Sequence, residues 1–495
     1  MQQDNNDKTS ILLSTFNFSR WCKTDRHKRR SSIIYNRLLT LLMSLLRSIT
    51  RQPFISVVIV AFLYALLSGL IIQKIIIPYA FNDISSDGLI VPDSISFHGL
   101  ALFKYNELTR SGLKAWELRP NGASPAGIAS FIYYIFGPYP VVLLPFNALL
   151  NALSAGILYR LLHYYFPKDI SIIGSLLFTI NPISLQWTSQ LHRDGLFILG
   201  TLIMLSSFVD LLHNFNSYEA LSLRRVVIFN TIGQSCIWIS RPYWLKMIVI
   251  YSLVTILFII WNSSKYRSVI PFGRGLHYQY HRKRTVNYLI PLIISILVSF
   301  ALNNNLISSD DFSIYPSFML RTSLNSSISS HKWTRNAFVP DEIERYLSQL
   351  SQKREDAIVQ GGSSLIDKDV HLNSTNKIIS YLPRALWIGL VSPMPTLWSS
   401  PGSTFVTTYF RHAMIIPSIL SYLLLLFLSY HIINISRKPP LMLLVILCLF
   451  SIIIFSIVMP NIGTLLRYRF SFHSILLSLG LCSFLELLSA SHTKK

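Results

Sequence analysis

Long runs of apolar residues constrain this chain more than any other feature. About 20 mostly apolar residues are enough for a helix to cross a bilayer, and the first such run begins near Pro53. Only 13% of the 495 residues are charged, whereas a soluble domain usually carries about 25%. The pattern predicts an all-α polytopic membrane protein and argues against a soluble enzyme, a disordered tail or a disulfide scaffold.

We expect about ten transmembrane helices, within a range of nine to thirteen, because ten apolar runs have the necessary length. They cover residues 54–79, 139–163, 169–189, 195–213, 226–241, 243–262, 287–303, 412–434, 440–459 and 470–489. The loops between them are expected to carry short helices. Residues 123–136 are too short to cross, and residues 378–398 are interrupted by prolines and an arginine, so we expect both as interfacial or re-entrant segments. The pattern of residues 340–358 predicts a soluble helix.

Basic residues indicate which ends of the spans face the cytoplasm. The chain has 44 Lys and Arg against 22 Asp and Glu, a formal net charge of +22. In a soluble protein this excess would suggest nucleic acid, but in so apolar a chain it follows the positive-inside rule. With ten spans, all the strongly basic stretches fall on one side, and we expect both termini in the cytoplasm. These stretches are the N-terminal segment, the loop 263–286, Arg224-Arg225, Arg437-Lys438 and Lys494-Lys495.

The same pattern divides the chain into four regions. Residues 1–52 form a basic cytoplasmic segment, and 53–303 form a transmembrane module whose first outer loop is 80–138. Residues 304–411 form an extracytoplasmic loop region that is expected to close over a site as a lid. Residues 412–495 supply the last transmembrane helices.

Two acidic residues stand out at the outer ends of predicted helices. Asp93, in Pro92-Asp93-Ser94, precedes an apolar helical pattern. It either only caps that helix, as the pair Asp93-Ser94 suggests, or is held near the membrane surface as a general base. Asp194 follows Arg193 directly before the run 195–213. The two form either a simple boundary pair, favoured by the helix dipole, or part of a site.

Three arginines lie on the predicted outer side, where the positive-inside rule does not favour cations. Arg241 occupies the tight turn between two spans, and Arg467 and Arg469 flank Tyr468 just before the last span. Each either has a structural role, such as reaching the membrane interface, or binds an anion, since arginine grips phosphate through paired hydrogen bonds. Acids and arginines on one outer face suit a lipid phosphate together with a base for an acceptor hydroxyl.

Metal-binding patterns are weak in this sequence. Asp367-Lys368-Asp369 has the DxD spacing that can hold a divalent cation, but it lies in a polar loop, where solvated carboxylates are the simpler interpretation. The four cysteines form no CxxC pair and no cluster with histidine. We therefore assign no metal ligand and no certain cofactor, and a requirement for a divalent metal stays open.

A series of short motifs runs from Pro92 to Phe208, and a late arginine motif follows. The motifs are Pro92-Asp93-Ser94 with His98, Ser124-Pro125 with Gly127, Asn181-Pro182 followed by Arg193-Asp194, and Asn461 with Arg467-Tyr468-Arg469. Together they resemble the polytopic GT-C glycosyltransferases, in particular the bacterial branch related to protein O-mannosyltransferases and lipid A aminoarabinose transferases. Many of those relatives carry Asp-Glu in the first loop, where this chain has Asp93-Ser94.

The resemblance implies a GT-C-like fold and an integral membrane glycosyltransferase of the bacterial inner membrane. Its partners would be a polyprenyl-phosphate sugar donor, a glycan, lipid or protein acceptor on the extracytoplasmic side, and membrane lipids, with no nucleic acid. It implies that Asp93 and Asp194 are catalytic. The donor phosphate would be bound by Arg241, Arg467 and Arg469, and further contacts to acceptor or donor would come from His98, Arg193 and Tyr468.

Two other functions stay open from the sequence. A polymerase of O antigen or exopolysaccharide would also hold a lipid pyrophosphate with outer arginines, but its donor would carry an oligosaccharide rather than one sugar. A transporter or lipid flippase usually shows internal repeats and polar residues at mid-membrane. This sequence shows little of either feature.

Overall fold

The computed structural model describes residues 52–81, 87–217, 223–269, 275–304, 333–361, 364–402, 405–436 and 438–492. The chain divides into two compact units, Met1–Ser56 and Val57–Lys495. Of the expected cytoplasmic segment 1–52, residues 1–51 lie outside the described ranges. Part of the expected lid region 304–411 also lies outside them. Within the described ranges the secondary structure is helical, with two isolated β-bridges.

The helices are named here in chain order. They are α1 (Pro53–Ala80), α2 (Pro92–Ser111), α3 (Ser124–Phe136), α4 (Leu144–His163), α5 (Lys168–Ile180), α6 (Pro182–Ser189), α7 (Asp194–Ser217), α8 (Leu223–Ser240), α9 (Leu245–Val269), α10 (Gly275–Asn304), α11 (Asp341–Val359), α12 (Thr375–Val391), α13 (Phe405–Ala413), α14 (Ile415–Ser436), α15 (Pro439–Val458) and α16 (Ile462–His492). The helix predicted over residues 340–358 is confirmed as α11.

Among the described residues, eight helices are long and apolar enough to cross a membrane, or nine if one bent pair counts as a span. The prediction of an all-α polytopic membrane protein is confirmed at this level. The eight lie in α1, α4, α7, α9, α10, α14, α15 and α16, and the bent pair is α5 with α6. The predicted fifth span is helical as α8 but is not among them, so the total of ten stays a prediction.

The bend between α5 and α6 follows from one dipeptide. Proline disfavours the helical conformation in the residue before it, and Asn181, which precedes Pro182, is extended, with φ −63° and ψ 132°. The Asn181 side chain accepts a hydrogen bond from the backbone N–H of Ile183 at 3.0 Å. It thus closes α5 and caps α6, and the two helices meet at 54°.

Two predicted boundaries were wrong. The last helix begins at Ile462 rather than near residue 470, so Arg467, Tyr468 and Arg469 lie within its first turns instead of in a loop before it. The expected loop 263–286 is shorter, because α9 continues to Val269 and α10 begins at Gly275. Both segments were predicted as loops because their charged residues lower the local hydropathy. A helix end that faces water can nevertheless contain charged residues.

Helix α7 is the most enclosed of the candidate spans. Nearly all of its apolar window is buried, whereas only a small share of the α14 window is buried, and α7 packs against α4, α8 and α15. Its contact with α8 depends on close backbone approach, because a Cβ added at Gly200 would lie 2.7 Å from the carbonyl oxygen of Gly233. Small residues at such crossings let membrane helices approach closely. The first residue of this central helix is Asp194.

The described part of the region 304–411 is fastened to the ends of the spans. Arg354 of α11 is fully buried and donates to the carbonyl oxygen of Ile457, in the last turn of α15, and to that of Asp367. Residues 364–366 pair with 460–462 through backbone hydrogen bonds. Helix α11 thus lies across the end of α15 and is held there by a buried charge.

Gly200→Ala should destabilise the protein by about 1–3 kcal/mol, the usual cost of overpacking a tight core. The new methyl group would meet Gly233 O, Cys236 Cβ and Ile237 Cγ1 at 2.7–3.0 Å. Gly99→Ala is the matched control, because nothing lies within 4 Å of its added Cβ and alanine favours a helix by about 1 kcal/mol over glycine. Thermal unfolding of the purified protein in detergent measures both, and equal melting temperatures would refute the close α7–α8 crossing.

Candidate functional site

Asp93 lies in the first turn of α2 and does not cap it. Pro92 is the first helical residue, Val91 occupies the N-cap position, and no side chain forms a capping hydrogen bond. The prediction that Asp93-Ser94 is a helix cap was therefore wrong. Proline suits the first position because its missing N–H would have no partner there anyway. The Asp93 carboxylate instead accepts a hydrogen bond from Nη1 of Arg467 at 3.1 Å.

Asp194, the first residue of α7, lies between two arginines. Its Oδ1 accepts a hydrogen bond from Nη2 of Arg241, and its Oδ2 accepts one from Nε of Arg467 at 3.0 Å. The Asp194 side chain is 1% exposed and that of Arg241 is 2% exposed. A buried carboxylate is tolerated only when it is paired, and both of its oxygens are used here.

Arg467 joins three groups that are distant in sequence. Its Nε binds Asp194, its Nη1 binds Asp93, and its Nη2 donates to Nδ1 of His192 at 3.1 Å. The planar guanidinium presents its N–H groups in a fixed fork, so one side chain sets the relative positions of α2, α7 and the segment before α7. We call Asp93, His192, Asp194, Arg241 and Arg467 the Arg467 cluster.

His192 belongs to this cluster, although the sequence analysis assigned it no role. Because arginine can only donate, Nδ1 of His192 is an acceptor, and the ring proton is on Nε2, which faces Ser94 Oγ at 3.4 Å. Burial, followed by the positive charge of Arg467, lowers the pKa of His192 to about 3. The imidazole is therefore neutral at physiological pH. In the sequence, its position directly before Arg193-Asp194 could have indicated that His192 belongs to the site.

Arg241 is held between aromatic rings. Its guanidinium carbon lies 3.6 Å from the centroid of Tyr468 and 4.6 Å from that of Phe197, and such cation–π contacts are strongest when desolvated. Within the described residues, its Nε and Nη1 have no hydrogen-bond partner. The ring of Tyr468 thus covers the guanidinium of Arg241. Of its nitrogens, Nη2 donates to Asp194, while Nε and Nη1 do not donate to a described residue.

The structure does not bring Arg469 into the cluster. Its guanidinium donates to the carbonyl oxygens of Ile388, Gly389 and Ser392. These carbonyls lie at the C-terminal end of α12, where the helix dipole is negative and the last carbonyls of a helix need partners from outside it. Arg469 therefore caps α12 and is 2% exposed.

His98 and Arg193 lie beside the cluster without a hydrogen bond to it among the described contacts. His98 Nδ1 is 2.8 Å from the hydroxyl of Tyr133, and its Nε2 is 3.8 Å from Asp87. Burial lowers the pKa of His98, an effect that Asp87 opposes. The Arg193 guanidinium lies 5.1 Å from the centroid of the Phe97 ring on α2.

Side-chain amides hold the two segments that precede α2 and α7. Asn147 of α4 donates to the carbonyl oxygens of Thr188 and Gln190 at 3.0 and 3.1 Å. The Gln190 side chain donates to Gly88 O and accepts from the N–H of Ile90, both at 3.0 Å. These bonds fix the segment before Asp194 against the segment before Asp93, so that both carboxylates reach the same arginine.

The two carboxylates differ in exposure. The side chain of Asp93 is 38% exposed, against 1% for Asp194. Asp93 can thus meet a molecule from solution, whereas the carboxylate of Asp194 is enclosed. With His192 neutral, two carboxylates face two guanidinium groups, and the cluster has no net charge.

The described residues contain no group of three or more His, Cys, Asp and Glu side chains that could hold a metal ion. Asp367, the first acid of the DxD pattern, accepts two hydrogen bonds from Arg384, each 3.0 Å long, and one from Tyr381 at 2.9 Å. Its carboxylate therefore serves as an anchor between the 364–373 segment and α12.

Four residues from separate sequence motifs meet in one place: Asp93, Asp194, Arg241 and Arg467. No protein-family model matches the chain, and no curated protein matches it either. The geometry of the Arg467 cluster is accordingly the main basis for a functional proposal.

Asp194→Ala should destabilise the protein by about 3–5 kcal/mol, because it leaves Arg241 buried without its carboxylate. Asp93→Ala should cost about 0–1 kcal/mol, since a partly exposed ion pair contributes little. Unfolding titrations in a denaturing detergent measure both changes. The double variant Asp194→Ala/Arg241→Met should recover part of the loss because it removes the stranded charge. If both aspartate variants have equal stability, Asp194 is not the buried anchor of the cluster.

Proposed function

We propose that this protein is an integral membrane glycosyltransferase that transfers a sugar from a polyprenyl-phosphate donor to an acceptor on the extracytoplasmic side. The supporting observation is the convergence of Asp93, Asp194 and Arg467, which belong to separate motifs of the resemblance and are up to 374 positions apart. Apolar helices long enough to cross a membrane suit a donor that is itself a lipid.

Asp93 is the general base in this proposal. It is the exposed carboxylate of the cluster, so an acceptor hydroxyl can reach it without opening the buried pair Asp194–Arg241. The hydroxyl oxygen attacks the anomeric carbon of the donor, its proton passes to Asp93, and the bond to the lipid phosphate breaks. A well-placed general base typically accelerates such a step by about 10²–10⁴-fold.

Arg241 and Arg467 stabilise the charge that develops on the departing phosphate. Fixed cationic donors in a site with little water contribute strongly to such a step because they need no rearrangement. Asp194 holds both guanidinium groups in place, and Arg241, buried between the rings of Phe197 and Tyr468, contributes its charge without exposure to solvent. Asp194 is thus a positioning residue, and Arg469 supports the site indirectly by holding the end of α12.

Asp93→Asn should reduce sugar transfer by about 10²–10⁴-fold, because the amide cannot accept the proton. The measurement uses proteoliposomes supplied with radiolabelled polyprenyl-phosphate hexoses and pentoses and membrane extract as the acceptor source. Glu107→Gln is the matched control: Glu107 lies on the same helix, has a similarly exposed side chain, at 40%, and pairs with Lys104.

Transfer at the parental rate by the Asp93→Asn protein would remove Asp93 from the role of base. Product length tests the reaction itself: a transferase adds one sugar to each acceptor. Products that grow by whole oligosaccharide repeats would instead identify a polymerase and overturn the proposal.

A further inference from the structure

Helix α12 ends alongside α15 rather than beyond its end. In the last turn of α12, a Cβ added at Gly389 would lie 2.4 Å from Cγ2 of Ile452 and 2.5 Å from Oγ of Ser456. Both of these residues belong to α15, a candidate span that ends at Val458. Small residues let helices approach this closely, so α12 packs directly against the last turns of the span. After Val391 the helix stops, and the chain continues through a turn toward α13.

Side chains bind all six carbonyl oxygens of residues 388–393, where α12 ends and the turn begins. Arg469 binds three of them, those of Ile388, Gly389 and Ser392. His473, one helical turn further along α16, has its Nε2 3.2 Å from the carbonyl oxygen of Leu390. A carbonyl only accepts, so this ring nitrogen carries the proton. Two side chains of α16 thus serve four of the six carbonyls.

The other two carbonyl oxygens, of Val391 and Pro393, are bound from α14 and from the chain that follows the turn. The hydroxyl of Tyr422, on α14, lies 2.8 Å from the first and 2.7 Å from the second. Nε1 of Trp398 also donates to Pro393, at 3.0 Å, and its ring stacks on that of Tyr422 with centroids 6.3 Å apart. The single hydroxyl proton of Tyr422 can therefore serve Val391, and protein donors suffice for the whole turn.

Complete pairing by side chains suits a turn that lies in hydrocarbon. A bilayer core has no water to bind backbone groups, so an unpaired carbonyl is costly there. Irregular backbone at membrane depth is tolerated only where protein covers it or where it lines a water-filled cavity. Ser392 and Pro393 are both buried, so protein covers this turn. In water the same carbonyls could bind solvent, and a buried guanidinium would not be needed for them.

Helix α14 shows what surrounds the protein at the level of the turn. It begins at Ile415, so Tyr422 lies seven positions inside it, or about 10 Å at 1.5 Å for each residue. Next to Tyr422, the side chains of Ile419 and Leu423 are 44% and 49% exposed. On a candidate span, such exposed apolar residues face lipid. The turn that Tyr422 binds therefore lies at a level where the surroundings of the protein are apolar.

The exposed face of α12 changes from polar to apolar along the helix. Lys377, near its start, is exposed, and Arg384 forms an ion pair with Asp367 at 3.0 Å. In the last two turns, after Arg384, the exposed side chain is that of Trp387, at 56%. Tryptophan favours the boundary between water and hydrocarbon. The order of these residues matches a helix that leaves water and enters lipid.

We propose that residues 385–398 form a shallow re-entrant segment, which enters the bilayer on the side of the Arg467 cluster and returns to the same side. Arg467 and Arg469 lie two positions apart on α16, which puts the segment and the cluster near the same membrane surface. The partner of the segment is the acyl-chain region of the nearer leaflet, and Trp387 faces it. Helices α11 and α13 then lie on one side of the membrane. The inference does not depend on the proposed transferase activity.

Spin labels at two positions of α12 test the proposal in phosphatidylcholine proteoliposomes. The labels are attached in Trp387→Cys and Lys377→Cys, each in a full-length chain whose four native cysteines are replaced by alanine. Oxygen concentrates in hydrocarbon and a nickel chelate stays in water, so the ratio of their collision rates with the label reports its depth. The ratio should be several-fold higher at position 387 than at position 377, the matched control on the same helix. Equal, water-like ratios at both positions would overturn the proposal.

Lipid photo-crosslinking of the unmodified protein decides the question if the cysteine variants fail to fold. A phosphatidylcholine that carries a diazirine near the start of one acyl chain should label residues 385–398 and the exposed face of α14. Mass spectrometry of the peptides locates the labels, and α11 is the control that should stay unlabelled. Label on α14 but not on 385–398 would contradict the re-entrant segment. Crosslinks from 385–398 to a second copy of the chain, in place of lipid, would also overturn the proposal and identify that copy as the partner.

Discussion

The cost of burying a charge organises this end of the protein. Asp194 begins the most enclosed apolar helix, where an isolated carboxylate would be very unfavourable. Both of its oxygens are therefore bound by arginines, one from the turn between α8 and α9 and one from α16. Two segments far apart in the chain are thereby fixed to the start of α7, and Arg467 also attaches α2 through Asp93. Because breaking such a pair strands its partner, the cluster constrains the fold more strongly than any partly exposed ion pair can.

The same arrangement separates a buried ion pair from a partly exposed carboxylate. Asp194 and Arg241 are buried, and the rings of Phe197 and Tyr468 cover Arg241. Asp93 reaches the cluster from α2 and remains partly exposed. Two fixed guanidinium groups beside one accessible carboxylate are what the proposed acid–base chemistry at a phosphate would use, and this arrangement follows here from the need to neutralise Asp194.

A further buried arginine, Arg354, fastens helix α11 to the end of α15. Arg354 donates to the carbonyl oxygens of Ile457 and Asp367, whereas Arg241 and Arg467 bind carboxylates. Arginine suits both settings because its guanidinium forms several directed hydrogen bonds from one side chain.

Sequence alone determined the fold class and most of the helices, because apolar runs of sufficient length are a local property. It also selected Asp93, Asp194, Arg241 and Arg467 as unusual, since charge beside an apolar run is visible without a structure. It misplaced the start of α16, where Arg467 and Arg469 interrupt the apolar pattern while the backbone stays helical. A rule based on hydropathy cannot distinguish a charged loop from a charged helix end.

Only the tertiary structure decided which of these residues act together. Arg467 and Arg469 are two positions apart on a helix of 3.6 residues per turn, so they point in nearly opposite directions. One joins Asp93 to Asp194, and the other caps α12. His192 and Tyr468 became part of a site in the same way, through contacts between segments that lie far apart in the chain. Sequence shows which charges are costly, but packing decides which partner offsets each cost.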